Sequence, residues 1–134
     1  MMGKIGTSFA LPQLRSYQTS GEFGWPDRPQ ILISMTAKED GVIFASLSNG
    51  TEDPKGTAGS SENEITVNRK RVAFAQGAYS SDASDKRQLG SSVAANLFVK
   101  KGDIIILKTK CTGEKATYTA TMLYTSGDMD FLVQ

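Results

Sequence analysis

Leu97-Phe98-Val99-Lys100-Lys101-Gly102-Asp103-Ile104-Ile105-Ile106-Leu107-Lys108 sets two apolar, β-branched runs on either side of a short polar break. The pattern reads as strand, tight turn, strand. Gly102 can take a positive φ without a steric penalty, and Asp103 can bond the backbone around it, so the break has the chemistry of a hairpin turn. Ile104 to Leu107 is too continuous for a strand wetted on one side. It predicts cover on both faces, from a second sheet or a neighbouring subunit.

Working outward, the same period of two recurs. Gln30–Thr36 sets Ile31, Ile33 and Met35 against Leu32, Ser34 and Thr36, and Val42–Leu47 follows after Lys38-Glu39-Asp40-Gly41, whose Asp-Gly predicts that the two pair as neighbours. Glu64–Asn68 and Arg71–Gln76 alternate around Arg69-Lys70-Arg71, the only basic run, which reads as a solvated turn, with contact to phosphate or an acidic glycan as the sharper alternative. Lys115–Thr125 points Tyr118, Ala120, Met122 and Tyr124 one way and a row of threonines the other, after the turn Thr112-Gly113-Glu114. Phe131-Leu132-Val133 suggests a short last strand. Residues 1–29 contain one candidate strand, Gly6 to Leu11, and are then broken by Pro12, Gly21, Gly24, Pro26 and Pro29; they read as an arm leading into a single domain over residues 30–134. About eight short strands with no helical period predict an all-β antiparallel sandwich or barrel and exclude a parallel α/β fold.

Composition narrows the chemistry. Fifteen Lys+Arg against fourteen Asp+Glu leave a net charge of +1 over 134 residues, so no field of one sign draws in nucleic acid. The absence of histidine removes Ser-His and Cys-His nucleophile pairs, the usual base near neutral pH, and imidazole metal ligands. The lone Cys111 can form neither an intrachain disulfide nor a zinc cluster and reads as a small buried hydrophobe. No stretch has the roughly 20 apolar residues of a membrane-spanning helix, and Met1-Met2-Gly3-Lys4 opens no signal sequence. No membrane insertion and no cofactor are expected.

The remaining candidates for function lie in polar stretches. Ser48–Asn63 reads as one long exposed loop; it contains Asn49-Gly50-Thr51, an N-glycosylation pattern, but lacks the order of a phosphate-binding loop. Gly77–Ser91 reads as a second loop, whose Tyr79, Asp82, Asp85, Arg87 and Gln88 have the chemistry that holds a polyhydroxylated ligand. Trp25, in the Gly/Pro-rich stretch 21–29, could stack on a sugar or pack on the domain. Carboxylates alone could support glycoside hydrolysis at Glu39/Asp40, Glu62/Glu64 or Asp128/Asp130, and Asp82/Asp85 or Asp128/Asp130 could offer oxygens to Ca²⁺. Adjacent acids are more commonly solvated turn residues, so neither catalysis nor a metal is expected.

Ala95–Leu107, followed by an alternating strand ending in Met122-Leu123-Tyr124, resembles the late strands of C1q/TNF-like jelly rolls, a pattern shared by the C-terminal tips of phage fibres and bacterial surface fibres. The resemblance implies a jelly-roll sandwich, a homotrimer packed around a threefold axis, and a place on a virion surface or outside the cell. It also implies a non-enzymatic head that binds a host-surface glycan or protein receptor, with Trp25, Tyr79, Asp82, Asp85, Arg87 and Gln88 as contacts. The alternative is a purely structural trimerisation or capsid-decoration module.

Overall fold

A computed structural model describes residues 13–23, 28–51, 58–80, 89–112 and 115–126. Eight strands run in the order β1 (Gln13–Glu22), β2 (Gln30–Thr36), β3 (Gly41–Thr51), β4 (Ala58–Val67), β5 (Lys70–Ser80), β6 (Leu89–Val99), β7 (Ile104–Cys111) and β8 (Thr117–Ser126). They form two four-stranded antiparallel sheets, β1-β8-β3-β6 and β2-β7-β4-β5. That order is the wiring of an eight-stranded jelly roll, so the fold class expected from the alternating strands holds.

The wiring overturns the expected hairpins. The strands of Leu97–Lys108 do not pair with each other: β6 lies beside β3, whereas β7 lies between β2 and β4. Likewise β2 and β3 sit in different sheets, as do β7 and β8. Only β4 and β5, joined at Asn68-Arg69 with φ of 52° and 69°, are consecutive strands that pair directly. Each of the other turns carries the chain across the sandwich. At the first of them Gly102 has φ of 94°, as its lack of a side chain permits. The Gly102 amide donates to the Ala37 carbonyl at 2.8 Å, and the Ala37 amide donates to the Asp103 carbonyl at 2.8 Å. Bonds to a neighbouring turn thus replace the hairpin ladder.

Four further readings are corrected. Gln13–Glu22, expected to belong to an arm, forms β1 and pairs along its whole length with β8, so the sandwich begins within residues 1–29. Ile31 and Ile33 were expected on one face, but a register shift between them leaves Ile33 in the core and Ile31 exposed. Ile104–Leu107 was expected to be covered on both faces, but among the described residues the second sheet covers one face, where Ile105 and Leu107 are fully buried, and leaves Ile104 exposed on the other. Finally, the polar stretches 48–63 and 77–91 are largely strand at both ends, with Asn49, Ser61 and Asn63 buried. The candidate strands at 6–11 and 131–133 lie outside the described residues.

The core has two parts. Toward the end with the turns at 37–40, 68–69 and 100–103, Ile33, Ile43, Leu47, Ile65, Val99, Ile105, Leu107 and Met122 interlock between the sheets. Toward the opposite end, Leu89, Cys111 and Ala116 pack with Phe23. Burial pushes the Cys111 thiol up to about 11, so it is protonated at neutral pH and packs as an apolar group.

A ring of side-chain hydrogen bonds fills the interior near this second cluster. The Asn49 amide donates to Thr109 Oγ1 at 2.8 Å, Thr109 donates to Asn63 Oδ1 at 2.8 Å, and the Asn63 amide donates to Ser91 Oγ at 2.7 Å. Ser61 donates to Asn49 Oδ1, and the remaining bond, 2.6 Å between the two serine hydroxyls, closes the circuit with Ser91 as donor. Members come from β3, β4, β6 and β7, so the ring ties both sheets together. No buried side-chain nitrogen or oxygen among the described residues lacks a partner. Asn49 is committed to the interior, which removes it as a glycan acceptor in the folded chain.

The Asp103 carboxylate accepts the Lys100 amide at 2.9 Å and the Asn68 side-chain amide at 2.9 Å. These bonds favour the charged form and hold its pKa below the ordinary 3.8. A lowered folded-state pKa stabilises the fold above the unfolded value, and that contribution is lost as pH falls through the folded value. Asp103→Asn is therefore expected to melt below the parent at pH 6, with the gap shrinking as the pH drops below 3.8, as followed by circular dichroism; a gap independent of pH would refute the assignment.

Candidate functional site

The sandwich has two ends and two outer faces, and the residues predicted to bind ligand belong to one end. Trp25 lies in the connection from β1 to β2, and Asp82, Asp85, Arg87 and Gln88 lie in that from β5 to β6. All five fall outside the described residues, as do Asp128 and Asp130. Tyr79 is on β5, opposite Gly59 of β4. The strand order brings the last residues of β1, β3, β5 and β7 to this same end. Underneath them lies the Asn49–Thr109–Asn63–Ser91–Ser61 ring, and beside them Phe23 packs edge-on against Tyr118 with centroids 5.4 Å apart. The Phe23 amide donates to the Ala116 carbonyl at 3.0 Å. Sequence reasoning singled out Trp25 and passed over Phe23, whose only local signal is an aromatic in a glycine-rich segment.

The outer face of β1-β8-β3-β6 is built in rows by the register. Leu14, Thr125, Val42 and Phe98 stand side by side, followed by Ser16, Leu123, Phe44 and Asn96. Next come Gln18, Thr121, Ser46 and Ala94, then Ser20, Thr119, Ser48 and Ser92. None of these sixteen positions is ionisable, although 22% of the chain is charged. Five of the eight residues in the first two rows are apolar, with Phe98 85% exposed, Leu14 65% and Phe44 46%. The last two are small and hydroxylated, and a hollow of about 300 Å³ opens over Ser46, Ser48, Ser92, Ala94 and Thr119.

The opposite sheet carries charge pairs alongside the exposed Ile31, Val72 and Ile104. Arg71 bonds Glu64 at 2.7 Å and lies 4.0 Å over the Phe74 ring. Lys110 approaches Glu62 at 3.8 Å, and a shallow recess of about 140 Å³ separates these pairs. Glu62 and Glu64 are thus each engaged by a cation. Asp40 accepts the Lys101 amide at 2.9 Å, so the Glu39/Asp40 pair is part of a turn. No cluster of three or more potential metal ligands occurs among the described residues, and no helix among them is long and apolar enough to cross a membrane.

These features define an eight-stranded jelly roll with one face carrying charge pairs and one whose four rows hold sixteen uncharged positions, with Glu22 following in the next row beside Thr117, Gly50 and Gly90. No family model matches the chain, and no curated protein matches it. Among solved structures it is similar to a chain of the acid-stable capsid of the Helicobacter pylori bacteriophage KHP30, at 15% identity over 87% of this chain and 94% of that one, with a TM-score of 0.47. It is also similar to Eiger TNF from S. frugiperda, at 17% identity over 78% and 83% of the two chains and a TM-score of 0.37. A third similarity is to a chain of the infectious bursal disease virus Gx strain, at 13% identity over 87% of this chain and 33% of that one, with a TM-score of 0.39. The assignment as a jelly roll stands on the strand order itself.

Proposed function

We propose that the chain is a non-enzymatic assembly module, the subunit of a C1q/TNF-like homotrimer on a virion surface or outside the cell. The block of sixteen uncharged positions on the outer face of β1-β8-β3-β6 carries this reading. A sandwich gains nothing from leaving Leu14, Val42, Phe44, Leu123 and Phe98 as one patch in water, and a patch of this kind is the mark of a protein interface. Its lack of ionisable groups lets a second copy cover it without burying an unpaired charge. The threefold arrangement and the surface location rest on the resemblance of residues 95–107 and 122–124 to fibre tips. In such an assembly the end reached by the last residues of β1, β3, β5 and β7 is available for a glycan or protein receptor, with Trp25, Tyr79, Asp82, Asp85, Arg87 and Gln88 as its contacts.

Light scattering on the purified chain at tens of micromolar should give about 43 kDa, three times 14.4 kDa. Phe44→Asp combined with Phe98→Asp should reduce this to the monomer mass, because two carboxylates would be buried without partners. Both side chains are exposed in the single chain, so the monomer should remain folded. A parent that runs as a monomer at this concentration would remove the proposal, and a dimer would keep the interface but discard the threefold arrangement.

A further inference from the structure

The turns at 37–40, 68–69 and 100–103 come from three separate stretches of sequence, yet they are fastened to one another. Lys101 N donates to Asp40 Oδ1 at 2.9 Å, joining the first turn to the third. Asn68 joins the second to the third twice: its side-chain amide donates to Asp103 at 2.9 Å, and its Oδ1 accepts the Ile104 amide at 2.9 Å. The Asn68 amide also donates to the Ile104 carbonyl at 2.8 Å. The three turns therefore form one braced platform.

This platform collects cations that the sequence disperses. Lys38, Arg69, Lys70, Lys100 and Lys101 are all exposed on it, and no ion pair engages any of them among the described residues. Two of its three carboxylates, on Asp40 and Asp103, are directed at backbone amides, which leaves Glu39 as the third. Five cations against three carboxylates give +2 on the described residues of this platform.

We propose that this end of the sandwich binds sulfated polysaccharide, with Arg69, Lys70, Lys100 and Lys101 pairing with sulfate groups and Lys38 at the margin. A sulfated glycan requires closely spaced cations and no stacking surface, and the three turns contain no aromatic residue. A nucleic acid is a poorer fit, because among the described residues no helix or projecting ribbon at this end can enter a groove and the three turns themselves offer no ring to stack on a base. The site lies at the opposite end from the last residues of β1 and β5, and it requires neither a trimer nor Trp25 and residues 79–88.

A size-defined heparin oligosaccharide, titrated calorimetrically into the full chain at 50 mM and 200 mM NaCl, tests the assignment. Binding should weaken at least fivefold at the higher salt as counterions are displaced. Changing Arg69, Lys70, Lys100 and Lys101 together to Gln should weaken it at least tenfold with little change in melting temperature, since all four side chains are exposed. A control with Lys108→Gln and Lys110→Gln, on the other sheet's outer face, should bind like the parent. Absence of binding at 50 mM NaCl, equal losses in the two variants, or tighter binding of a 20-base-pair DNA duplex than of the oligosaccharide would each overturn the proposal.

Discussion

Asn63→Ala is expected to cost about 3 kcal/mol of stability, because it opens the closed ring at its most buried member. Asn63 is fully buried and contributes four bonds: it accepts from Thr109 Oγ1 at 2.8 Å and, at 3.5 Å, from the Asn49 side-chain amide, and it donates to Ser91 Oγ at 2.7 Å and to the Ser91 carbonyl at 3.0 Å. Truncation strands the Thr109 hydroxyl in the interior with no acceptor of comparable geometry and leaves a cavity beside it. A domain of this size should melt about 10 °C lower, readable by circular dichroism or calorimetry. The double variant Asn49→Ala, Asn63→Ala should cost less than the sum of the single variants, because each already breaks the same circuit. Strict additivity, or a loss below about 0.5 kcal/mol for Asn63→Ala, would show that the ring contributes nothing as a unit.

The second large effect is steric. At Gly77 on β5 an added Cβ would lie 2.4 Å from the Gly90 carbonyl oxygen on β6, so the two sheets touch backbone to backbone at this edge. Neither partner is the end of a flexible side chain, and the clash can be relieved only by spreading the sandwich. Gly77→Ala is expected to destabilise by about 3 kcal/mol, the upper end of overpacking penalties. Gly90→Ala, at 2.8 Å from the Asn49 carbonyl oxygen, should follow, and Gly50→Ala, at 3.1 Å from the Leu89 carbonyl oxygen, should be mildest. Chemical denaturation of the three variants gives the order directly. An inverted order would mean that this edge yields more easily than its backbone contacts imply.

The Gly77–Gly90 contact and the ring have a common consequence for the candidate site. Both hold the end from which residues 24–27, 52–57, 81–88 and 113–114 depart, so the strand ends that frame the predicted ligand residues are fixed by interior bonds. The two glycines are 13 positions apart in sequence, and the bond from Asn49 to Thr109 spans 60. Nothing local marks either. A Ser/Asn-rich stretch looks like a loop because its polar groups ordinarily seek water; here they find partners on other strands, and the same residues become core.

The physical division between sequence and fold follows from range. Strand periodicity is a local property, and the sequence alone determined most of the strands, the buried face of Tyr118 to Tyr124, the positive φ at Gly102 and the inert burial of Cys111. Strand pairing is not local. The same Lys-Gly-Asp chemistry serves a hairpin or a crossing between sheets, and the choice depends on which partner strands satisfy the backbone bonds and cover the apolar faces. Only the tertiary structure therefore decided that β6 and β7 part company, that Gln13–Glu22 is a strand of the sandwich, and that polar strand ends close a buried ring. It also decided the distribution of charge, because no run in the sequence shows sixteen non-ionisable positions on one face or five cations on one end until the strands are laid side by side.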